Sequence, residues 1–231
     1  MLESLLALRH GSSLPPGETG PGPREIVTNS SDGDGDGYFG TLPIADFISP
    51  ANLYTLSGIT SGTLYTPANT TSWHKFLVDG KIVFIPQLPF ASEVVWNTAA
   101  ASGSVYGKEV VIGDYRFVLR FIRGDKTNPT TFPNSTTYAN TTFPWDSDKQ
   151  TEWGRTITRL NNGQYAAITA TNLGEGVGGT RNGSWCMESY GSTGSTYAAL
   201  RGANTINAYY VRDKSQARCW RPCLELIPTT S

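Results

Sequence analysis

The last apolar stretch of the chain, Arg218 to Leu226, alternates between apolar and polar positions with a period of two. Trp220, Leu224 and Leu226 fall on one face, and the other face carries Cys219, Arg221, Cys223 and Glu225. This alternation predicts a half-buried strand that closes a sheet. Pro222 has no backbone N–H to donate, so we expect it at an edge, a bend or a bulge.

Two β-hairpins are predicted where a two-residue turn containing Gly separates apolar runs. The turns are Asp79-Gly80 and Gly113-Asp114. The paired runs are residues 74–78 with 81–85 and residues 109–112 with 115–121.

Two short helices are predicted from caps and spacing. Ser92 can cap a segment that runs to about Ala101 and ends before Gly103. A capping box at Ser147 and Gln150 precedes an apolar series at helical spacing, Trp153, Ile157 and Leu160, which Asn162-Gly163 ends. The predicted fold class is therefore α+β, dominated by antiparallel hairpins with two short helices. A β-sandwich is the alternative.

Residues 1–37 are predicted to be an extended N-terminal arm with a Gly/Asp-rich linker, and residues 38–231 a β-rich globular domain with outward loops. The arm begins with a short apolar patch expected to anchor it to a partner, formed by Leu2, Leu5, Leu6 and Leu8. An isolated helix of this length is marginal in water, so the patch needs a surface to pack on. The Pro- and Gly-rich stretch that follows has too few apolar residues to build a core.

The sequence Asp32-Gly-Asp-Gly-Asp-Gly37 allows two interpretations. Alternating carboxylates with Gly at the sixth position match the start of an EF-hand loop, so Asp32, Asp34 and Asp36 are candidate calcium ligands. The twelfth position holds Pro43 instead of the expected Glu, which favours a flexible acidic turn without a cofactor.

Composition narrows the class of protein. The 231 residues are 38% hydrophobic and 16% charged, with a net charge of −1 and no basic block, so we expect no nucleic-acid partner. No apolar run approaches the ~18–20 residues that a membrane-spanning helix needs. The three cysteines, Cys186, Cys219 and Cys223, do not suggest a disulfide framework.

No catalytic residue is expected. Neither His10 nor His74 lies in a motif with a nucleophile, and Glu152 is better explained as an acid in the first turn of a helix than as one of a glycosidase pair with Asp146. Long Thr-, Asn- and Gly-rich segments instead predict display loops. The aromatic residues Trp145, Trp185, Tyr138 and Tyr190 are the candidate receptor or partner contacts.

The segment Trp220-Arg-Pro-Cys-Leu-Glu-Leu226 resembles the ending of a family of phage and prophage virion proteins. Further similar pieces occur upstream in the same order, so that the resemblance covers residues 70–227. These pieces are Ser72–Phe76, Asp79–Lys81, Val105–Gly107, Tyr115–Arg120 and Thr151–Arg155. The family usually has an aliphatic residue at the position of Cys223 and Ser at the position of Thr151.

The resemblance implies a virion structural protein without catalytic activity. Within that class we expect an external appendage of the tail- or collar-fibre type that contributes to host attachment. Its expected partners are other virion proteins bound through the arm, further copies of the chain, for example in a trimer, and a host surface glycan or protein. A capsid decoration protein is the first alternative and a carbohydrate-active enzyme the second.

A looser similarity to the C-type-lectin-like pattern is carried by Trp185-Cys186, Leu200-Arg201-Gly202 and the terminal strand. It implies a stable frame that displays variable loops, here residues 124–146 and 174–190.

Overall fold

The computed structural model describes residues 19–65, 72–125, 148–163, 165, 183–189, 197–203 and 205–228, together with the backbone of residues 141–142 and 190. These residues form two sheets of seven strands each. The first sheet has the spatial order β1 (Thr28–Asn29), β2 (Gly37–Pro43), β4 (Ser72–Val78), β5 (Lys81–Pro86), β14 (Pro222–Leu226), β8 (Tyr115–Phe121) and β7 (Lys108–Ile112). The second has the order β3 (Thr63–Leu64), β6 (Ala91–Val95), β13 (Ala217–Trp220), β10 (Ser184–Tyr190), β11 (Tyr197–Arg201), β12 (Ala208–Asp213) and β9 (Thr141–Thr142).

Short helices connect the strands. They are a 3-10 turn at Ile44–Asp46, α1 (Pro50–Ser57), α2 (Trp96–Ala101), and a π-helix at Gly154–Thr158 that continues into α3 (Arg159–Asn161). Across the described ranges, no helix has the length and apolar character needed to cross a membrane. The predicted fold class, antiparallel β-sheet with a few short helices, is confirmed. The similarity to C-type lectins stays a prediction.

The two sheets share one apolar core. Phe84 and Phe117 of the first sheet belong to the same buried cluster as Trp185, Leu200 and Trp220 of the second. A second buried cluster contains residues of both sheets, such as Phe76 of β4 and Tyr209 of β12, and the helical segment contributes its apolar side chains to it, Trp153, Ile157 and Leu160. The fold is therefore a sandwich of two sheets, and the helical segment packs against both.

Both predicted hairpins are present. In the β4–β5 turn, Asp79 and Gly80 have φ of 51° and 73°, as a type I′ turn requires. In the β7–β8 turn, Gly113 has a φ of 58°, which fits a II′ turn.

The predicted terminal strand belongs to both sheets. Its first half, β13, pairs with β6 in the second sheet, and its second half, β14, lies between β5 and β8 in the first. The change of sheet occurs at Arg221, immediately before Pro222. Because Pro222 cannot donate to a ladder, it suits the position where the strand changes sheets.

One predicted helix needs correction, and one helix was not predicted. The segment from Ser92 is a strand until Val95, since Val94 pairs with Arg218 and Glu93 has a left-handed φ of 58° that no helix allows. Only α2 is helical there. Helix α1 was missed, although the Ser49 hydroxyl accepts a bond from Asn52 N at 3.2 Å, a normal N-cap.

The predicted boundary of the N-terminal arm is also corrected. Residues 19–37 belong to the body, because Thr19 is fully buried and β1 pairs with β2. Lys75 Nζ on β4 donates to the backbone oxygens of Pro21 and Pro23, which holds this segment against the first sheet. The anchoring residues Leu2, Leu5, Leu6 and Leu8 lie outside the described residues.

Candidate functional site

The Asp-Gly repeat is bound by arginines of the helical segment. Arg159 donates to Asp32 at 2.7 Å and to Asp36 at 2.8 Å, and it also pairs with Asp34. Arg155 donates to Asp36 through Nε at 2.6 Å. The guanidinium groups therefore lie where a cation would have to sit, and the calcium prediction for Asp32, Asp34 and Asp36 is corrected. No cluster of His, Cys, Asp and Glu suited to a metal occurs within the described ranges.

The electrostatics of this cluster fit a structural clamp. Burial opposes ionisation of Asp34, but the Arg159 side chain lowers the pKa of that carboxyl overall. The pKa of Asp36 is raised by burial, which the bonds from Arg155 and Arg159 offset only in part. The clamp joins the N-terminal segment to the helix that covers the first sheet.

A second buried ion pair joins β8 to the start of the helical segment. Arg120 donates to both oxygens of Glu152, at 2.7 and 2.5 Å, and Arg123 N donates to the same carboxylate at 2.9 Å. Glu225 on β14 also pairs with Arg120, at 3.0 Å. Burial alone would raise the pKa of Glu152, but Arg120 and the Arg123 N–H lower it overall.

That lowered pKa does not suit a general acid, which must hold a proton at working pH. Glu152 lies where the helix begins, as expected, and its carboxylate binds Arg120. Asp146, its proposed partner in glycoside cleavage, lies outside the described residues.

A third buried group fixes the chain on both sides of the polar segment 126–147. Arg201 donates to Gly124 O at 2.9 Å and pairs with Asp148, so one side chain holds the residues that precede and follow this segment. Glu188 accepts a bond from Gly124 N at 3.0 Å. Burial raises the pKa of Glu188 to about 8, so this carboxyl is largely protonated at neutral pH.

The predicted contact residues have mixed outcomes. The prediction that Trp185 contacts a receptor or partner is wrong. Only 1% of this residue is exposed, and its indole Nε1 donates to Val94 O at 2.8 Å. A tryptophan buried with its N–H satisfied is part of the core and cannot reach a receptor. Trp145, Tyr138 and the side chain of Tyr190 lie outside the described residues, so their roles stay predictions.

The histidine and cysteine side chains that the structure describes are buried. His74 Nδ1 bonds to the Tyr38 hydroxyl at 2.9 Å, and burial lowers the pKa of His74 to about 3, so the ring is neutral. Cys186, Cys219 and Cys223 are buried and form no disulfide.

Comparison with known proteins gives no assignment. No protein-family model, no curated protein and no solved structure matches this chain.

The arginines that organise these clusters were missed from the sequence. Arg155 and Arg159 are four residues apart on the helical segment, so both can face the same neighbour, which is the only local signal they give. The sequence around Arg120 and Arg201 does not indicate their partners, because the carboxylates that they bind are distant in sequence.

Proposed function

We propose that the chain is a structural protein of a bacteriophage virion, an external appendage of the tail- or collar-fibre type that contributes to host attachment. The resemblance of residues 70–227 to phage and prophage virion proteins supports the class. The structure supports the attachment role, because buried ion pairs hold the body of the protein rigid on both sides of the polar segment 126–147.

The observation that carries the proposal is the fixing of the polar segment by Arg201. This fully buried side chain binds residues on both sides of segment 126–147, and its guanidinium lies 5.8 Å from the rings of Trp153 and Tyr209. A Thr-, Asn- and Pro-rich segment thus begins and ends at a rigid base. Binding residues on segments held by a rigid scaffold are a common arrangement for recognition.

The arginine-bound carboxylates argue for the structural role over the enzymatic alternative. Glu152, Asp148 and Asp36 are each held by an arginine. A glycosidase needs two carboxyls free to act on a sugar, one of them protonated. As a check, the purified chain should release no reducing sugar from host polysaccharide, and Glu152→Gln should change only its stability.

The proposal is tested with host cells and purified chain. The labelled chain should bind host cells and compete with adsorption of the phage. A variant in which residues 126–140 are replaced by a Gly/Ser linker of equal length should lose binding but keep its unfolding midpoint, since the replaced residues lie between the fixed positions. The matched control replaces the Asp79-Gly80 turn by Asn-Gly, which keeps the hairpin turn type and should keep binding.

The contrary results are equally specific. A chain that neither binds host cells nor competes with the phage contradicts an attachment role. If the chain instead raises the temperature at which empty shells fall apart, it is a capsid decoration protein with the same fold.

A further inference from the structure

A tight turn joins β12 to β13 and brings three cations together. Gln216 N donates to Asp213 O at 3.0 Å, which closes the turn. Arg212 precedes the turn, Lys214 lies within it and Arg218 follows it. Arg218 Nη2 donates to Gln216 Oε1 at 2.7 Å, so its guanidinium extends back towards the turn. We call this region, from Arg212 to Arg218, the basic turn.

The two arginines of the basic turn repel each other. Burial and the positive charge of Arg212 both lower the pKa of Arg218. Within the described residues, Arg218 donates to two neutral oxygens, Ala217 O and Gln216 Oε1, both at 2.7 Å. The acid of the turn, Asp213, uses Oδ1 to accept bonds from its own turn, at Ser215 N and Oγ. An anion placed at Arg218 would therefore relieve a repulsion.

Aromatic rings hold the other two cations in place. The guanidinium carbon of Arg212 lies 4.7 Å from the centroid of the Tyr210 ring. Lys214 Nζ lies 4.5 Å from the centroid of Trp96 and donates to Ser189 Oγ at 2.8 Å. Cation–π contacts position these groups without neutralising their charge. Because the side chains are already ordered, less entropy is lost when a ligand binds them.

An exposed aromatic ring lies beside the basic turn. Tyr106 packs edge-on against Trp96, with ring centroids 5.9 Å apart, and its hydroxyl bonds to Ser189, the residue that Lys214 also binds. Tyr106 is nevertheless 47% exposed, so it presents an apolar face to solvent next to fixed positive charges. An aromatic face packs against the apolar face of a sugar ring, and arginines bind carboxylate and phosphate groups. The combination suits an acidic sugar.

We propose that the basic turn and Tyr106 together bind an acidic polysaccharide of the host surface. Arg212 and Arg218 bind its carboxylate or phosphate groups, for which the planar guanidinium is well suited, and Tyr106 packs against a neighbouring sugar ring. The host surface as the source of the polysaccharide rests on the proposed attachment function, whereas its acidic chemistry rests on the turn itself. An acidic peptide would meet the same cations but would leave the exposed ring without a role.

The site is tested by titrating the full chain with polymers of known charge in a calorimeter. The probes are polygalacturonate, whose acidic group is a carboxylate, phosphomannan, whose acidic group is a phosphate, and neutral dextran. The wild-type chain should bind at least one of the two acidic polymers and should not bind dextran. The polymer that binds identifies the acidic group. Binding should weaken as NaCl rises from about 50 to 500 mM, because salt screens the charges.

Matched variants separate the site from the net charge of the chain. Arg212→Gln/Arg218→Gln should weaken binding at least about tenfold, because it removes charge-assisted hydrogen bonds. The control Lys81→Gln/Arg116→Gln also removes two positive charges, from side chains of the first sheet that are 48% and 58% exposed, and should bind as the wild type does. Tyr106→Ala should weaken binding about two- to tenfold, whereas Tyr106→Phe keeps the ring and should keep binding.

A milder variant keeps the test decisive if the double variant does not fold. Arg218→Gln alone removes bonds to neutral oxygens only, and it should still weaken binding measurably. Polyglutamate tests whether a sugar is needed: it should bind more weakly than the acidic polysaccharide, and Tyr106→Ala should leave its binding unchanged. Polyglutamate that binds as tightly as the polysaccharide, or acidic polymers that bind the arginine variants and the wild type alike, would overturn the proposal.

Failure of this site and failure of the attachment role give different results. A chain that binds host cells but neither acidic polymer overturns the polysaccharide site and leaves the attachment role intact. A chain that binds an acidic polymer through the basic turn but does not bind host cells supports the site and contradicts the attachment role.

Discussion

The buried pair of Arg120 and Glu152 gives the sharpest test of how the body is held together. In Arg120→Met, the carboxylate of Glu152 stays buried. It loses both hydrogen bonds from Arg120 and keeps the one from the Arg123 N–H. The side chains of Arg120 and Glu152 are 3% and 8% exposed, so little water can reach the carboxylate to replace the lost hydrogen bonds. Removing one partner of a buried ion pair costs about 3–5 kcal/mol, and we expect a loss of unfolding free energy in this range.

The assay is urea unfolding followed by tryptophan fluorescence, with the free energy taken from linear extrapolation. Arg116→Met is the matched control, because it lies on the same strand and pairs with Glu109, but both side chains are more than half exposed. Its midpoint should equal that of wild type, since exposed pairs contribute little.

A double variant isolates the buried charge as the cause. Arg120→Met/Glu152→Met leaves no uncompensated carboxylate at position 152, so it should recover most of the loss. The reasoning is refuted if Arg120→Met is as stable as wild type, or if the double variant is no more stable than Arg120→Met.

Two further predictions concern titration and calcium. The pKa of Glu188, about 8, lies above its unfolded value of 4.5, so the folded state binds more protons between these limits and stability should fall as pH rises through this window. Glu188→Gln should flatten that slope in unfolding experiments at pH 5 to 9, whereas an unchanged slope would contradict the assignment. Because Arg159 binds Asp32, Asp34 and Asp36, calcium should leave the thermal midpoint of the wild type unchanged; a saturable rise with calcium would restore the metal site.

Local sequence patterns were enough for the two hairpins and the terminal strand. The Asp79-Gly80 and Gly113-Asp114 turns act over a few residues, so the hairpins could be predicted from neighbouring apolar runs. The alternation from Arg218 to Leu226 also predicted the terminal strand correctly. It could not show that the strand divides between two sheets at Pro222, because that depends on partners far away in the chain.

The clusters of charged residues could not be predicted for the same reason. Arg159 lies 127 residues from Asp32 and 123 from Asp36, and neither sequence neighbourhood indicates the other. Without its arginines, the Asp-Gly repeat has the same pattern as the first six positions of a calcium loop. Trp185 was assigned to the surface because a Gly-rich segment precedes it, but the indole of Trp185 finds Val94 O across the second sheet and is buried.

Residues 20–23 show how composition alone can mislead. Pro and Gly at these positions cannot build a core of their own, which predicted an arm. The backbone oxygens of Pro21 and Pro23 nevertheless accept hydrogen bonds from Lys75 Nζ on β4. The segment is thus held by hydrogen bonds to its backbone, which a count of apolar side chains cannot detect.

The most direct test of the account is a cryo-EM map of the intact particle that carries this chain. The account predicts density for the sandwich at the tail or collar, oriented so that segment 126–147, which Arg201 fixes on both sides, is on the side away from the particle. Density spread over the capsid lattice would contradict it.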